Sequence, residues 1–211
     1  MTSDVRALPV AYITLGGAGS GKSTLSRHLS SLTGAAYLDK DTLAGPLVRV
    51  ALEAFGQDPS DRESNELYLR TVMPAEYETL FATAGRNLEL GHSVVLDAPF
   101  VAYLGDPDFL RRSTESAGWP AARIRVIHVR TSPEVVRQRL IERGSERDRV
   151  KLAGWDVYWE RFGALECRWN TGEHDVVVND DESAFTRLRE LVQQDLTAAF
   201  SGSDDQDGRG A

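Results

Sequence analysis

Cysteine is almost absent from this sequence: Cys167 is the only one in 211 residues. A single thiol excludes an internal disulfide and a cysteine-rich zinc site. Long apolar runs are also missing, and no stretch approaches the roughly 20 residues that a membrane span needs. Met1 to Pro9 carries Asp4 and Arg6 and has no apolar core. No secretory signal is expected there, and a cytoplasmic location is the expectation that follows. Positive charge is scarce as well, with 24 Lys and Arg against 32 Asp and Glu, a net charge of -8. That balance argues against nucleic acid as a main partner, because a phosphate backbone needs a cationic face. The scarcest cation is lysine, found only at positions 22, 40 and 151. His28, His92, His128 and His174 show no metal-ligand spacing and are assigned no function.

What is present describes one ordinary α/β domain. A hydrophobic fraction of 41% with 27% charged residues is that of a soluble globular chain. Short β-rich runs at Ala11–Leu15, Ala35–Leu38, Ser93–Leu96, Ile124–Val129 and Val176–Val178 alternate with helical patterns. The first helix is expected over Lys22–Thr33, stopped by Gly34. Residues 42–90 read as helical with a break at Gly56–Ser60. Within them Pro74 opens a helix on which Tyr77, Leu80, Phe81, Ala84 and Leu88 share one face. Ser132-Pro133-Glu134 reads as the cap and first turn of a helix ending at Gly144. A last amphipathic helix runs from Ala184 to Phe200, and the polar tail 201–211 is expected to be disordered. Strands alternating with helices predict a parallel sheet covered on both faces, with ligands at the carboxyl ends of its strands.

The motif with the most chemistry lies where that rule puts it. Gly16-Gly17-Ala18-Gly19-Ser20-Gly21-Lys22-Ser23-Thr24 follows the first strand and opens the first helix, and it fits G-x-x-x-x-G-K-[ST] throughout. Glycines at these points let Gly17, Ala18, Gly19, Ser20 and Gly21 turn successive N–H groups around phosphates, aided by the positive end of the helix dipole. Lys22 reaches the β- and γ-phosphates and the Ser23 hydroxyl ligates Mg²⁺. The expected cofactors are therefore ATP or GTP, with Mg²⁺.

Acids stand at the ends of two further strands: Asp39-Lys40-Asp41 after the second and Asp97 after the third. Phosphoryl transfer to an alcohol uses one carboxylate at the metal and another to take the acceptor proton. Strand alternation predicts that Asp39 and Asp41 point the same way. The competing structural role is helix capping, for which Asp41 before Thr42-Leu43 is well placed. On the helix after the fourth strand, Arg139 and Arg143 are one turn apart and share a face. There a guanidinium could stack on a base or neutralise a transferring phosphoryl group. Arg147 and Arg149 follow Gly144 in a segment, residues 144–154, that could close over the site as a lid. The bland alternative is a solvated charged helix. Trp155, Tyr158 and Trp159 form an aromatic cluster, with Arg161 and Phe162 beyond; core packing is the expected role, and lining an acceptor pocket just past the lid is the alternative.

These residues resemble a group of P-loop kinases that includes chloramphenicol phosphotransferase, zeta-toxin-like kinases, shikimate kinase and gluconate kinase. The likeness rests on G-G-A-G-S-G-K-S, Y-L-D-K-D-T-L, S-V-V-L-D-A-P-F and R-L-I-E-R, and spans residues 10 to 180. It implies a P-loop NTPase three-layer sandwich with a five-stranded parallel sheet in the order 2-3-1-4-5. A helical acceptor-binding region (42–90) and a lid (144–154) would sit within one domain, 1–200. It implies Asp41 as general base and Asp39 as a magnesium or substrate contact, with Asp97 beside them. Arg139 would stack on the base and Arg143 contact phosphate, Arg147 lying toward the substrate. The activity implied is transfer of a γ-phosphate to a hydroxyl of a small molecule, such as an antibiotic, a sugar or a nucleoside, by a monomer or homodimer. A toxin-like kinase of a nucleotide sugar and a regulatory NTPase are the alternatives. The arginine pattern for shikimate and the guanine-reading Asn-Lys-x-Asp motif are both missing.

Overall fold

The structure is a computed structural model that describes residues 7–62, 64–163 and 165–204, without the side chains of Arg147 and residues 196–204. Five strands, β1 (Val10–Leu15), β2 (Ala36–Asp39), β3 (Val94–Asp97), β4 (Arg123–Arg130) and β5 (Glu173–Val178), form one sheet. Its order is β2-β3-β1-β4-β5 and every pairing is parallel. The predicted order and three-layer arrangement are therefore those observed. β3 (V-V-L-D) is buried along its whole length, as a strand covered on both faces must be.

The helices around it are α1 (Lys22–Thr33), α2 (Lys40–Ala54), α3 (Met73–Glu89), α4 (Phe109–Ser116), α5 (Pro133–Arg143), α6 (Glu146–Ala153), α7 (Trp155–Tyr158) and α8 (Ser183–Asp204). Single π-helical turns, Tyr68–Val72 and Trp159–Gly163, lead into α3 and out of α7. One core layer holds the expected stripe of α3, with Tyr77, Leu80 and Phe81 against Phe100, Phe109 and Trp169. The opposite layer joins Leu25 and Leu29 of α1 to Leu188 and Leu191 of α8. Gly34 and Gly144 end α1 and α5 in the left-handed conformation, as read from the sequence.

Ser132 is the N-cap of α5 as expected, without a side-chain bond, and its amide donates to Asp180 Oδ1 at 2.7 Å. Two local expectations need correction. The strand β2 runs to Asp39 and α2 begins at Lys40, so Asp39 and Asp41 do not lie on one strand face. The last helix continues to Asp204, four residues into the segment expected to be disordered, while 205–211 lie outside the described residues. Among the described residues, no helix is long and apolar enough to cross a membrane.

Candidate active site

The glycine-rich loop leaves the centre of the sheet and its shape depends on missing side chains. Gly19 and Gly21 have φ of +78° and +76°, which side-chain-bearing residues rarely adopt. A Cβ on Gly21 would overlap the amide of Asn179, and one on Gly19 would press on Val136 at 3.0 Å and Leu140 at 3.2 Å. The loop is braced from behind through one carbonyl. Ser20 O accepts from Asn179 Nδ2 (2.7 Å), Thr131 Oγ1 (3.1 Å) and Arg139 (3.4 Å). Gly21 caps α1 without a side-chain bond of its own, and the Lys22 amide donates weakly to Ser20 Oγ at 3.4 Å. The Thr24 amide bonds back to Gly21, and Ser23 Oγ lies 3.5 Å from Lys22 Nζ.

The acids meet this loop through a chain of contacts. The Lys22 ammonium pairs with Asp97 Oδ1. The Tyr37 hydroxyl donates to Asp97 Oδ2 at 2.6 Å and lies 3.2 Å from Asp39 Oδ2. Burial and that bond to Asp97 push the Tyr37 hydroxyl well above its ordinary pKa, so it keeps its proton and acts as a donor. Asp39 Oδ1 accepts from the Thr42 amide at 2.6 Å. Asp39, not Asp41, is thus the N-cap of α2. Asp41 stands in the first turn with its side chain 59% exposed, 3.1 Å from Lys40 Nζ.

Sequence reading missed the group beneath Asp41. Lys40 is buried and donates to Glu76 Oε1 at 2.9 Å, and Tyr68 donates to Glu76 Oε2 at 2.8 Å. Burial and the Glu76 carboxylate raise the Tyr68 pKa. A signal did exist. Glu76 lies four residues before Leu80 and eight before Ala84, on the apolar stripe of α3, where an acid needs a buried cation.

On the closing side, Arg139 reaches the loop as expected, contacting the Ser20 and Gly19 carbonyls. Arg143 is turned to another partner, gripping buried Asp148 of α6 through Nε (2.8 Å) and an NH₂ group (2.6 Å). Arg149 pairs with Glu146 in solvent, and the Arg147 side chain lies outside the described residues. The cation of α6 that faces inward is Lys151, 10% exposed and 3.8 Å from Asp148 Oδ1. All three lysines of the chain are consequently set against carboxylates rather than scattered over the surface. Trp155, Tyr158 and Trp159 are only half-buried and do not join the core as expected, and Phe162 follows them. Tyr158 and Phe162, with Gly17, Ala18 and His128, line a small cavity beside the phosphate loop. Burial and nearby Arg130 lower the His128 pKa to about 4.

These residues fit a nucleoside triphosphate: a cradle in which side chains would clash, a helix start capped by glycine, and a lysine paired with a carboxylate that it can exchange for phosphate. Mg²⁺ takes its ligands from one or two protein oxygens, phosphates and water, and Ser23 with Asp97 supplies such oxygens.

Comparison with known proteins agrees on the fold. Residues 12–165 match the family described as AAA domain. Among curated proteins none matches. A candidate kinase from Chloroflexus aurantiacus superposes with a TM-score of 0.64 at 20% identity, covering 88% of this chain and 98% of that one. A sugar kinase from Janibacter sp. gives 0.55 at 16% identity, over 90% and 93% of the two chains. The APS kinase of Mycobacterium tuberculosis, solved with AMPPNP and APS, gives 0.55 at 16%, over 89% and 97%. At these identities the likeness is one of fold.

Proposed function

Because the chain belongs to the AAA domain family, we propose that it works as a small-molecule kinase, moving the γ-phosphate of ATP or GTP to an alcohol. The observation that carries this reading is the contact chain Lys22–Asp97–Tyr37–Asp39, which joins the phosphate loop to the acids at the end of β2. The fold neighbours titled sugar kinase and APS kinase support it by analogy. When bound, the nucleotide would supply the phosphoryl group and Mg²⁺ positive charge that offsets that of the phosphates.

The chain's own residues then have separate tasks. The amides from Gly17 to Ser23 hold phosphate oxygens, and Lys22 leaves Asp97 to join them. Ser23 and the released Asp97 would hold Mg²⁺, with Asp39 fixed behind them through Tyr37. Arg139, already at the loop, stacks on the base. Arg143 turns from Asp148 to the transferring group, and α6, released from that grip, closes over the site and excludes water. Asp41, solvent-facing at the head of α2, accepts the proton of the acceptor hydroxyl. Residues 42–90 form the acceptor side.

ATP and GTP consumption, measured alone and then with hydroxylated metabolites and antibiotics, tests the reading. Stimulation by one alcohol, with a phosphorylated product, is expected. Steady hydrolysis that no alcohol alters would favour the regulatory NTPase instead. Asp41→Asn should retain nucleotide affinity and slow transfer by about 10²–10⁴, and unchanged turnover would remove Asp41 as the base.

A further inference from the structure

The charges that border the acceptor side sort the alcohols this site can take. We propose that the acceptor is a neutral or cationic alcohol, and that the Lys40–Glu76 pair excludes acceptors carrying a carboxylate or phosphate. The inference rests on the kinase reading above and deepens it.

An anionic acceptor needs a cation free to receive it, as charge-assisted bonds to guanidinium or ammonium provide. The cation nearest Asp41 is Lys40, and it is spent. Its ammonium lies 2.9 Å from Glu76 Oε1 and 3.1 Å from Asp41 Oδ1, with the Tyr77 ring centroid 5.6 Å away. Arg62 leans the same way, its guanidinium 5.7 Å over the Tyr68 ring and 3.9 Å from the same Glu76 oxygen. Tyr68 holds the second oxygen of Glu76, so the acid cannot swing away and release either cation.

Of the other arginines in the 42–90 region, Arg49 is exposed on α2 and two are paired at the surface. Arg70 pairs with Glu66 and Arg86 with Glu89. Around the acceptor position the described side chains thus set two cations, Lys40 and Arg62, against three carboxylates, Glu76, Asp41 and Asp39. Asp97 is balanced by Lys22. A negative group brought beside Asp41 would meet a like charge, while the two cations at that point, Lys40 and Arg62, are already set against Glu76, which is how a site rejects a class of ligand. A hydroxyl needs only an acceptor such as Asp41, and an ammonium on the ligand would gain from it.

The test sorts a library of hydroxylated metabolites by charge and follows phosphoryl transfer from γ-labelled ATP to each compound. Productive acceptors should fall among the neutral and cationic members. An anionic acceptor with the highest kcat/KM would overturn the inference while leaving the kinase reading intact. Transfer to no compound at all, with ATP still bound, would defeat the kinase reading and this inference together. Thermal shift with gluconate and sorbitol supplies a second readout. Glu76→Gln removes the buried one of the two carboxylates that hold Lys40, so gluconate should stabilise this variant at concentrations at least tenfold lower than it does the wild type, with sorbitol unchanged. Equal gluconate response in both proteins would show that Glu76 does not set the selection. Glu76→Asp, which keeps the charge, is the folding control, and the wild-type library decides the matter alone if Glu76→Gln does not fold.

Discussion

Asn179, the residue after β5, donates its side-chain amide to the carbonyl of Ser20 at 2.7 Å, bracing the phosphate loop from the far edge of the sheet. The same amide occupies the space that a Cβ on Gly21 would need. Gly21→Ala therefore meets both a left-handed φ and a collision, strain of the kind that costs about 1–3 kcal/mol. Its expected effect is a loss of ATP affinity of tenfold or more by titration calorimetry. Adding Asn179→Ala should relieve the collision but not the backbone strain, so affinity should return only in part. Full affinity in Gly21→Ala alone would mean the loop is not held this way in solution.

Lys22 and Asp97 form the second test, because one residue of each pair of roles is buried. Asp97 is enclosed, and removing one partner of a buried ion pair commonly costs about 3–5 kcal/mol. The Tyr37 bond remains in Lys22→Met, so a loss of roughly 2–4 kcal/mol is expected from urea denaturation. The double variant Lys22→Met/Asp97→Asn should regain most of that stability while nucleotide affinity stays low. Stability and binding would then be separated within one pair. Wild-type stability in Lys22→Met would exclude the pair as a feature of the free protein.

How much of this could be read from the sequence depended on the range of the interaction. The phosphate loop is nine consecutive residues whose backbone demands are written in its glycines, and the structure puts it between β1 and α1 as expected. The stripe of α3 follows from local periodicity, whereas the strand order is what the resemblance to P-loop kinases implied. The Asp39 cap was misread by two residues because element boundaries depend on hydrogen bonds that alternation does not encode. Lys40 with Glu76 is a pairing across 36 residues, and Arg143 with Asp148 competes with a solvated helix of identical composition. Such partners become visible only when the chain is folded. The scarcity of lysine was the usable clue, since each lysine proved to face a carboxylate.

Arg143 grips Asp148 with two nitrogens, a geometry that lysine cannot reproduce. Arg143→Lys keeps the charge and should loosen α6, raising amide exchange across residues 146–153 by about tenfold, equivalent to roughly 1.4 kcal/mol of local stability. Exchange elsewhere should be unchanged. Equal protection of α6 in both proteins would show that the pair does not hold this segment.

The last expectation concerns acid. His128 on β4 is held neutral in the fold, its pKa lowered from 6.5 to about 4 by burial first and by Arg130 second, against the opposing pull of Glu166. An unfolded chain binds this proton near pH 6.5, so between pH 6.5 and 4 the unfolded state carries more protons than the native one. Stability must then rise with pH through that window and fall on acidification. Between pH 7.5 and pH 5 this one group should remove about 2 kcal/mol. His128→Gln cannot take up a proton, so its denaturation midpoints at the two pH values should lie closer together than those of the wild type by that amount. The comparison cancels the contributions of Glu166 and His174, which are present in both proteins. Parallel pH profiles would place the His128 proton affinity at its ordinary value in the folded chain.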